Sequence, residues 1–250
     1  MSSGISTTDM PVNPVYCALD TPDLAQAEAL AAQLAGHVGG LKIGMEFFYA
    51  HGAQGYQAIA GHGLPVFLDL KLHDIPNTVA SAIRALSPLA PTYLNVHAGG
   101  GAAMMAAAAD AARDGAAAAG TKPPLMLAVT ILTSLGDSDL HSMGVSATAS
   151  KQVLRLAAMA QANGMDGVVC SAHEIGALRA ALGSDFKLVV PGIRPADSAT
   201  QDQKRVMTPA EAHGLGADVL VVGRPITQSD DPSMAARAIA DSLIANGADK

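Results

Sequence analysis

The fold is decided by the segment VFLDLKLHDIPNT, which spans residues 66–78. Its first half is mostly apolar and predicts a buried strand. Alternate side chains of a strand point the same way, so Phe67, Asp69 and Lys71 share one face. Burying an acid and a lysine is costly unless they pair with each other and with further polar groups. Asp74 adds another carboxylate at the predicted strand-to-helix turn.

Two interpretations of this charged segment are open. It could be a structural ion pair at a strand end, because such pairs also bury charge. It could instead be a preset charged cluster at the carboxyl end of a parallel strand, where α/β folds carry their chemistry. We favour the second interpretation, because a solvated surface pair does not suit so apolar a strand.

The composition suits one large domain or two small ones. The chain has 250 residues, of which 50% are hydrophobic and only 3% are aromatic, so its core must be aliphatic and closely packed. Such cores are typical of helices packed on a sheet. The formal net charge is -7 and there is no basic tract, which argues against non-specific nucleic-acid binding. A small anionic ligand remains compatible with a local cluster of Lys and Arg.

The cysteines and the N-terminus predict a cytoplasmic protein. Cys17 and Cys170 lie in apolar strand-like runs and form no CxxC pair, which suits a reducing cytosol. Residues 1–13 are rich in Ser and Thr and lack a basic cluster and an apolar core, so we interpret them as an irregular tail rather than a signal peptide. The catalytic domain is predicted over residues 14–250. No charge-free apolar run reaches the length that a membrane span needs.

Strand patterns alternate with helical patterns along the whole chain. The predicted strands are Val15–Asp20, Gly40–Ile43, Pro65–Lys71, Thr92–His97, Leu125–Thr130, Gly167–Cys170, Lys187–Val190 and Val219–Val222. The predicted helices are Asp23–Ala35, Glu46–Gly61, Asn77–Leu86, Gly101–Gly120, Thr148–Ala162, His173–Ala181, Pro209–His213 and Pro232–Asn246. Eight β-then-α units predict a single-domain (β/α)8 TIM barrel. A doubly wound open sheet is the alternative, although no G-x-G-x-x-G follows the first strand.

Polar residues cluster where the predicted strands end, and in a barrel these ends meet at one mouth. Lys42 lies between Leu41 and Ile43, and a lysine is almost never fully buried unless it is paired. Asp69 on the adjacent strand is its natural partner, which favours a functional role. Asp20 closes the first strand, where it could equally cap the next helix.

A second signal follows the last two strands, where barrels of this kind usually bind phosphate. Gly223 would let backbone N–H groups approach an anion, and Arg224 adds a charged fork suited to phosphate oxygens. Arg194 could supply a second cation after the seventh strand. The alternative is a structural glycine turn beside a surface arginine.

Three further features are less informative. Residues 195–206 form a polar stretch that predicts a loop, either a lid or a merely exposed connection. We interpret His97 as structural. No group of His, Cys and Asp has the spacing of a metal site. From the residues alone, the site is a Lys–Asp–Lys–Asp array beside a phosphate anchor, with neither metal nor organic cofactor. A lysine fixed between carboxylates suits proton transfer, isomerisation or decarboxylation of a phosphorylated substrate.

The chain resembles the orotidine 5′-phosphate decarboxylase family at these same residues. The matching motifs appear in the family's order and cover nearly everything from Val15 to the last helix. They are Leu19-Asp20, Leu41-Lys42-Ile43-Gly44, Asp69-Leu70-Lys71-Leu72-His73-Asp74-Ile75-Pro76-Asn77-Thr78, Leu132-Thr133-Ser134, Pro191-Gly192-Ile193-Arg194, Asp202-Gln203 and Gly223-Arg224-Pro225.

The resemblance implies conversion of orotidine 5′-phosphate to uridine 5′-phosphate and CO2, in de novo pyrimidine synthesis, without a metal or cofactor. It implies a catalytic set of Lys42, Asp69, Lys71 and Asp74. Lys71 would protonate C6 of the pyrimidine as CO2 leaves, and Asp69 would face the substrate carboxylate and orient Lys71. Asp74 and Thr78 would come from the second subunit of a homodimer with shared active sites.

The resemblance also implies how the nucleotide is bound. Asp20 and Lys42 would hold a ribose hydroxyl, and Thr133 would contact the base. Gln203 would bridge the base and the phosphate. The residues implied to hold the phosphate are Arg194, Gly223 and Arg224.

Two other functions are compatible with the pattern. One is a metal-dependent sugar-phosphate decarboxylase or synthase on the same barrel, but a cation at Lys42 argues against a metal there. The other is a barrel that only binds a nucleotide, which the intact Asp69 and Lys71 disfavour.

Overall fold

The chain folds into a closed barrel of eight parallel strands, in a computed structural model that describes residues 13–194 and 207–245. Each strand pairs with its neighbours in sequence, and β8 closes the barrel against β1. The strands are β1 Val15–Leu19, β2 Gly40–Gly44, β3 Val66–Leu72, β4 Tyr93–His97, β5 Leu125–Val129, β6 Gly167–Val169, β7 Lys187–Pro191 and β8 Val219–Val222. The predicted (β/α)8 barrel is confirmed.

Helices follow the strands, as parallel crossovers require. Within the described ranges they are α1 Leu24–Leu34, α2 Met45–Ala60, α3 Pro76–Leu86, α4 Ala102–Ala119, α5 Asp137–Ser142, α6 Ala149–Ala162, α7 Ile175–Leu182, α8 Pro209–Gly214, α9 Arg224–Thr227 and α10 Pro232–Ala245. The eight predicted helices lie within a few residues of these bounds. The short helices α5 and α9 were not predicted, because neither is long enough to show an apolar period.

The apolar residues form two clusters that the alternation of the strands explains. Leu68 and Leu70 of β3 point outward, into the main core between the sheet and the helices. Phe67 points inward and packs with Tyr16 and Tyr93 inside the barrel. Three of the eight Phe and Tyr residues of the chain therefore lie inside the barrel, below the mouth.

The pairing of β3 with β4 contains an irregularity at the charged segment. Leu68 pairs with Leu94 and Leu72 pairs with Val96, so three residues of β3 lie opposite the single residue Asn95. At this bulge Lys71 adopts a left-handed backbone conformation, with φ of 52°. Non-glycine residues rarely do so, and such outliers often lie at functional sites.

Asn13 ties the residues before β1 to the turn after α1. Its side-chain Nδ2 donates to the carbonyl of His37 at 3.0 Å, and its Oδ1 accepts from Val15 N–H at 3.0 Å. The rest of the predicted tail lies outside the described residues, and so does the polar loop predicted over residues 195–206. None of the described helices is long and apolar enough to cross a membrane.

Candidate active site

A cavity opens at the carboxyl ends of the strands, and its walls differ in character. One wall is charged and consists of Asp20, Lys42, Asp69 and Lys71. The rest of the lining is mostly apolar and includes Val129, Ile131, Leu132, Val169 and Val221. Mostly apolar cavities with a few charged groups are typical of sites that bind small molecules.

Asp69 is the centre of the charged wall. Lys71 Nζ donates to its Oδ1 at 2.6 Å, and Lys42 Nζ lies 3.4 Å from its Oδ2. Lys42 also donates to Asp20 Oδ1 at 3.1 Å. The side chains of Asp69 and Lys42 are each 11% exposed, which makes this a nearly buried array. The predicted pairing of Lys42 with Asp69 across adjacent strands is confirmed.

The electrostatics of Asp69 reflect opposing effects. Burial by itself raises the pKa of its carboxyl, but the neighbouring Lys42 and Lys71 ammonium groups lower it. Hydrogen bonds from Lys71 and Asn95 lower it further, and the pKa of Asp69 lies below its usual value. Asp69 is therefore a carboxylate near neutral pH, with its charge held between two cations.

Asn95 is a buried partner of Asp69 and Lys71 that the sequence-based prediction missed. It is fully buried, its Oδ1 accepts from the Lys71 backbone N–H at 2.7 Å, and its Nδ2 donates to Asp69 Oδ1 at 2.7 Å. The alternation of residues along β4 does place Asn95 on the same face as His97. The bulge that brings it against Lys71 has no such signal in the sequence.

Arg194 and Arg224 line a second depression, together with Pro225 and Gln228. Its two arginines are close in sequence to residues of the main cavity. Gly192, two residues before Arg194, and Gly223, just before Arg224, both line that cavity. Gly223 precedes α9, whose first residue is Arg224. The two arginines predicted from separate strand ends are thus brought together.

The other predicted site residues are placed as follows. Thr133 lines the main cavity from the loop after β5. Asp74 and Thr78 are exposed at the start of α3 and do not line that cavity in this chain. Gln203 lies outside the described residues.

The two histidines near the mouth contact each other with their rings tilted by 35°. The His73 and His97 rings lie 5.4 Å apart between centroids. Burial lowers the pKa of His97, and the nearby His73 and Lys71 lower it further. Within residues 13–194 and 207–245, no three His, Cys, Asp or Glu side chains are grouped so that they could hold a metal ion.

The fold and the cavity define a class of protein, the (β/α)8 barrels that carry a charged array at the carboxyl ends of their strands. The chain belongs to the orotidine 5′-phosphate decarboxylase / HUMPS family, whose family model matches residues 13–239.

Individual relatives agree with this assignment. The chain is 56% identical over 236 residues to the orotidine 5′-phosphate decarboxylase of Rhodospirillum rubrum, covering 94% of this chain and 96% of that protein. It is 53% identical to the protein of the same name from Novosphingobium aromaticivorans, covering 92% of this chain and 99% of that one. The crystal structure of orotidine 5′-phosphate decarboxylase from Lactobacillus acidophilus has a TM-score of 0.81 at 40% identity, covering 92% of this chain and 99% of that chain.

The lowered pKa of Asp69 predicts a pH-dependent contribution to stability. Because the folded-state pKa lies below the unfolded value, the contribution is complete above the ordinary value of 3.8 and is lost as pH falls through the folded-state pKa. Near neutral pH, Asp69→Asn should lower the free energy of unfolding by about 3–5 kcal/mol, because it leaves buried ammonium groups without their partner. The gap between wild type and variant should narrow below about pH 4.

Urea unfolding across pH measures this gap. Asp110→Asn is the matched control, because Asp110 pairs with Arg113 while 68% exposed and should contribute less than about 1 kcal/mol. If the difference in the free energy of unfolding between wild type and Asp69→Asn stays constant down to full acid unfolding, the stabilising role of the Asp69 charge is contradicted.

Proposed function

We propose that this protein decarboxylates orotidine 5′-phosphate to uridine 5′-phosphate and CO2, in de novo pyrimidine synthesis. The observation that carries the proposal is the buried carboxylate of Asp69, which is held between Lys42 and Lys71 in the charged wall of the cavity. Relatives that carry the name of this enzyme match nearly the whole chain at 50–56% identity. The same relatives lend no support to a sugar-phosphate enzyme or a non-catalytic barrel.

Lys71 is the proposed proton donor. In the reaction, the bond between C6 and the carboxyl carbon breaks, its electron pair stays on C6, and CO2 leaves. The ammonium of Lys71 then gives a proton to C6, so that uridine 5′-phosphate is released. No conjugation stabilises the C6 carbanion, so the barrier to be lowered is near the upper end of about 8–23 kcal/mol. A fixed positive charge beside the developing carbanion supplies part of that stabilisation.

Asp69 orients the proton donor and faces the carboxyl group that leaves. Its Oδ1 is 2.6 Å from Lys71 Nζ, which fixes the ammonium at the edge of the cavity. A substrate carboxylate placed there would meet the negative charge of Asp69, and this repulsion would fall as CO2 forms. The charge of Asp69 is balanced by both lysines, so the array is preorganised before the substrate arrives.

The remaining groups of the site are proposed to bind the nucleotide. Asp20 is 63% exposed at the mouth and accepts a hydrogen bond from Lys42. The two side chains are therefore suited to hold a ribose hydroxyl together. Thr133 lies in the cavity where it could contact the base. The residues proposed to hold the phosphate are Arg194, Gly223 and Arg224, with Gln203 bridging phosphate and base. Binding energy from the phosphate, which is remote from C6, can assist the chemical step.

We further propose that the active unit is a homodimer with shared sites. All residues from His73 to Thr78 are exposed immediately after β3, although this segment begins only two residues after Lys71. Ile75 in this segment is 66% exposed, which is unusual for a large apolar side chain beside a charged site. A second copy of the chain would cover this segment and bring Asp74 and Thr78 to the neighbouring cavity. A cytoplasmic location remains a prediction from the sequence.

Lys71→Ala tests the proposed chemistry. The variant should lose at least about 10³-fold in kcat, because it lacks both the proton donor and the fixed charge. Its Kd for uridine 5′-phosphate should change by less than about tenfold, because the anchor on the phosphate is intact. Lys122→Ala removes an exposed lysine before β5, at the other end of the barrel, and should leave both quantities unchanged. Substantial turnover by Lys71→Ala would exclude Lys71 as the donor.

Arg224→Ala tests the phosphate anchor. Loss of a charge-assisted hydrogen bond should raise KM for orotidine 5′-phosphate by about 10- to 150-fold. The dephosphorylated nucleoside orotidine has no phosphate to lose, so kcat/KM for it should fall by less than about threefold. Arg155→Ala, on the exposed face of α6, is the control and should behave as the wild type. Equal losses with both substrates would rule out a phosphate contact at Arg224.

Mixing two inactive variants tests the shared site. Lys71→Ala and Asp74→Ala homodimers should each be nearly inactive, because every site lacks one member of the charged array. In a heterodimer of the two, one site carries both lesions and the other site is wild type. With random association, co-refolding should restore about one quarter of the wild-type activity. If mass analysis confirms heterodimers and no activity returns, both residues act within one chain.

A further inference from the structure

Asn95 connects the two residues on which the proposed chemistry depends. Its amide oxygen accepts a hydrogen bond from the Lys71 backbone N–H, and its amide nitrogen donates to the Asp69 carboxylate, each at 2.7 Å. Asn95 is completely buried, and its contact with the nearly buried Asp69 carboxylate is shielded from water. It does not line the cavity, and its influence on a substrate would therefore be exerted through Asp69 and Lys71.

The strand pairing explains why an asparagine is needed at this position. Between the pairs Leu68–Leu94 and Leu72–Val96, β3 has three residues where β4 has one. The backbone N–H of Lys71 therefore has no regular ladder partner on β4, and a buried N–H without a partner is strongly unfavourable. The side chain of Asn95 replaces the missing backbone acceptor.

The same contact stabilises an unfavourable backbone. Lys71 has φ of 52°, a left-handed conformation in which the Cβ of a lysine is crowded. Strained backbone of this kind persists only when the surrounding contacts determine it. The hydrogen bond to Asn95 Oδ1 is such a contact, and it fixes the direction in which the Lys71 side chain leaves the strand.

The two groups that contact the Asn95 amide need opposite hydrogen-bonding partners. Lys71 N–H needs an acceptor, and the Asp69 carboxylate needs a donor. An asparagine meets both requirements in one orientation. An aspartate at this position would keep the acceptor but lose the donor, and it would bring a second carboxylate against Asp69.

We propose that Asn95 is a positioning residue for the reaction: it fixes the left-handed backbone of Lys71 and one oxygen of Asp69 at the same time. The expected loss of kcat rests on the proposed decarboxylation. The expected effects on the Lys71 backbone and on Asp69 do not. Without Asn95, the lysine ammonium would sample several directions, and the transition state would lose the fixed charge that stabilises it.

Asn95→Ala and Asn95→Asp should lower kcat for orotidine 5′-phosphate by at least about 30-fold, while KM changes by less than about threefold, since the phosphate contacts are untouched. Asn95→Asp should be the worse of the two, although it resembles asparagine more closely in size. Ser87→Ala is the matched control, because it also removes a buried side-chain hydrogen bond. Ser87 Oγ donates to the carbonyl of Ile83, far from the cavity. Ser87→Ala should lower the Tm without changing kcat.

A second measurement does not depend on turnover. The titration of the Asp69 carboxyl, followed by NMR in protein labelled at Asp Cγ and assigned with Asp69→Asn, should shift to higher pH in Asn95→Ala. The reason is that the hydrogen bond from Asn95 helps to lower the pKa of Asp69. In Ser87→Ala, this titration should match that of the wild type.

The outcomes separate the inference from the proposed function. A wild-type protein that leaves orotidine 5′-phosphate unchanged would refute the function, while the shifted titration in Asn95→Ala would still support the positioning role. A wild type that is active, together with folded Asn95 variants that keep full kcat and an unshifted Asp69 titration, would overturn the positioning role alone. If kcat falls in proportion to Tm in the Asn95 variants, and does so equally in Ser87→Ala, the role of Asn95 is structural only.

Discussion

The carboxylate of Asp69 is the group on which the site depends. It lies almost out of water, where an unpaired charge would be strongly unfavourable. Neutralisation comes from Lys42 on β2 and Lys71 on β3, and a hydrogen bond comes from Asn95 on β4. Three consecutive strands are therefore tied together at the mouth by one side chain. The same side chain places two ammonium groups at fixed positions before any substrate binds.

The bulge in β3 determines where the Lys71 side chain of this cluster points. A regular strand would continue the ladder with β4 through Lys71. Instead the backbone turns left-handed at Lys71, the ladder is interrupted, and the side chain of Asn95 fills the gap. Bulges next to active sites commonly aim a side chain in this way. The barrel below the bulge is a regular aliphatic and aromatic core, so the irregularity is confined to the level at which chemistry is proposed to occur.

Much of this arrangement could be predicted from the sequence, because it follows from period and polarity. Strict alternation of strand and helix patterns predicts the barrel, and a lysine within the apolar run Leu41–Ile43 predicts a carboxylate partner on the next strand. Asp69 is that partner. Arg194 and Arg224 could be placed in one region because both follow strands whose carboxyl ends meet.

Other features could not be predicted, for physical reasons. The role of Asn95 depends on a register shift, and no local pattern encodes how two strands are offset. The helices α5 and α9 have six and four residues, which is too short for a periodic signal. Asp74 is close to Lys71 in sequence but exposed in the folded chain, because the strand-to-helix turn carries it away from the cavity. Its proposed role needs a second subunit, and one sequence cannot show an assembly.

The most direct test of the central claim is an assay of the purified wild-type protein with orotidine 5′-phosphate. Loss of the substrate's ultraviolet absorbance should be accompanied by equimolar uridine 5′-phosphate and CO2, and prior treatment with a chelator should leave the rate unchanged. Unchanged substrate would contradict the proposal that this charged array decarboxylates the nucleotide. Activity that the chelator abolishes would contradict the proposal that fixed lysine charges, rather than a metal ion, stabilise the transition state.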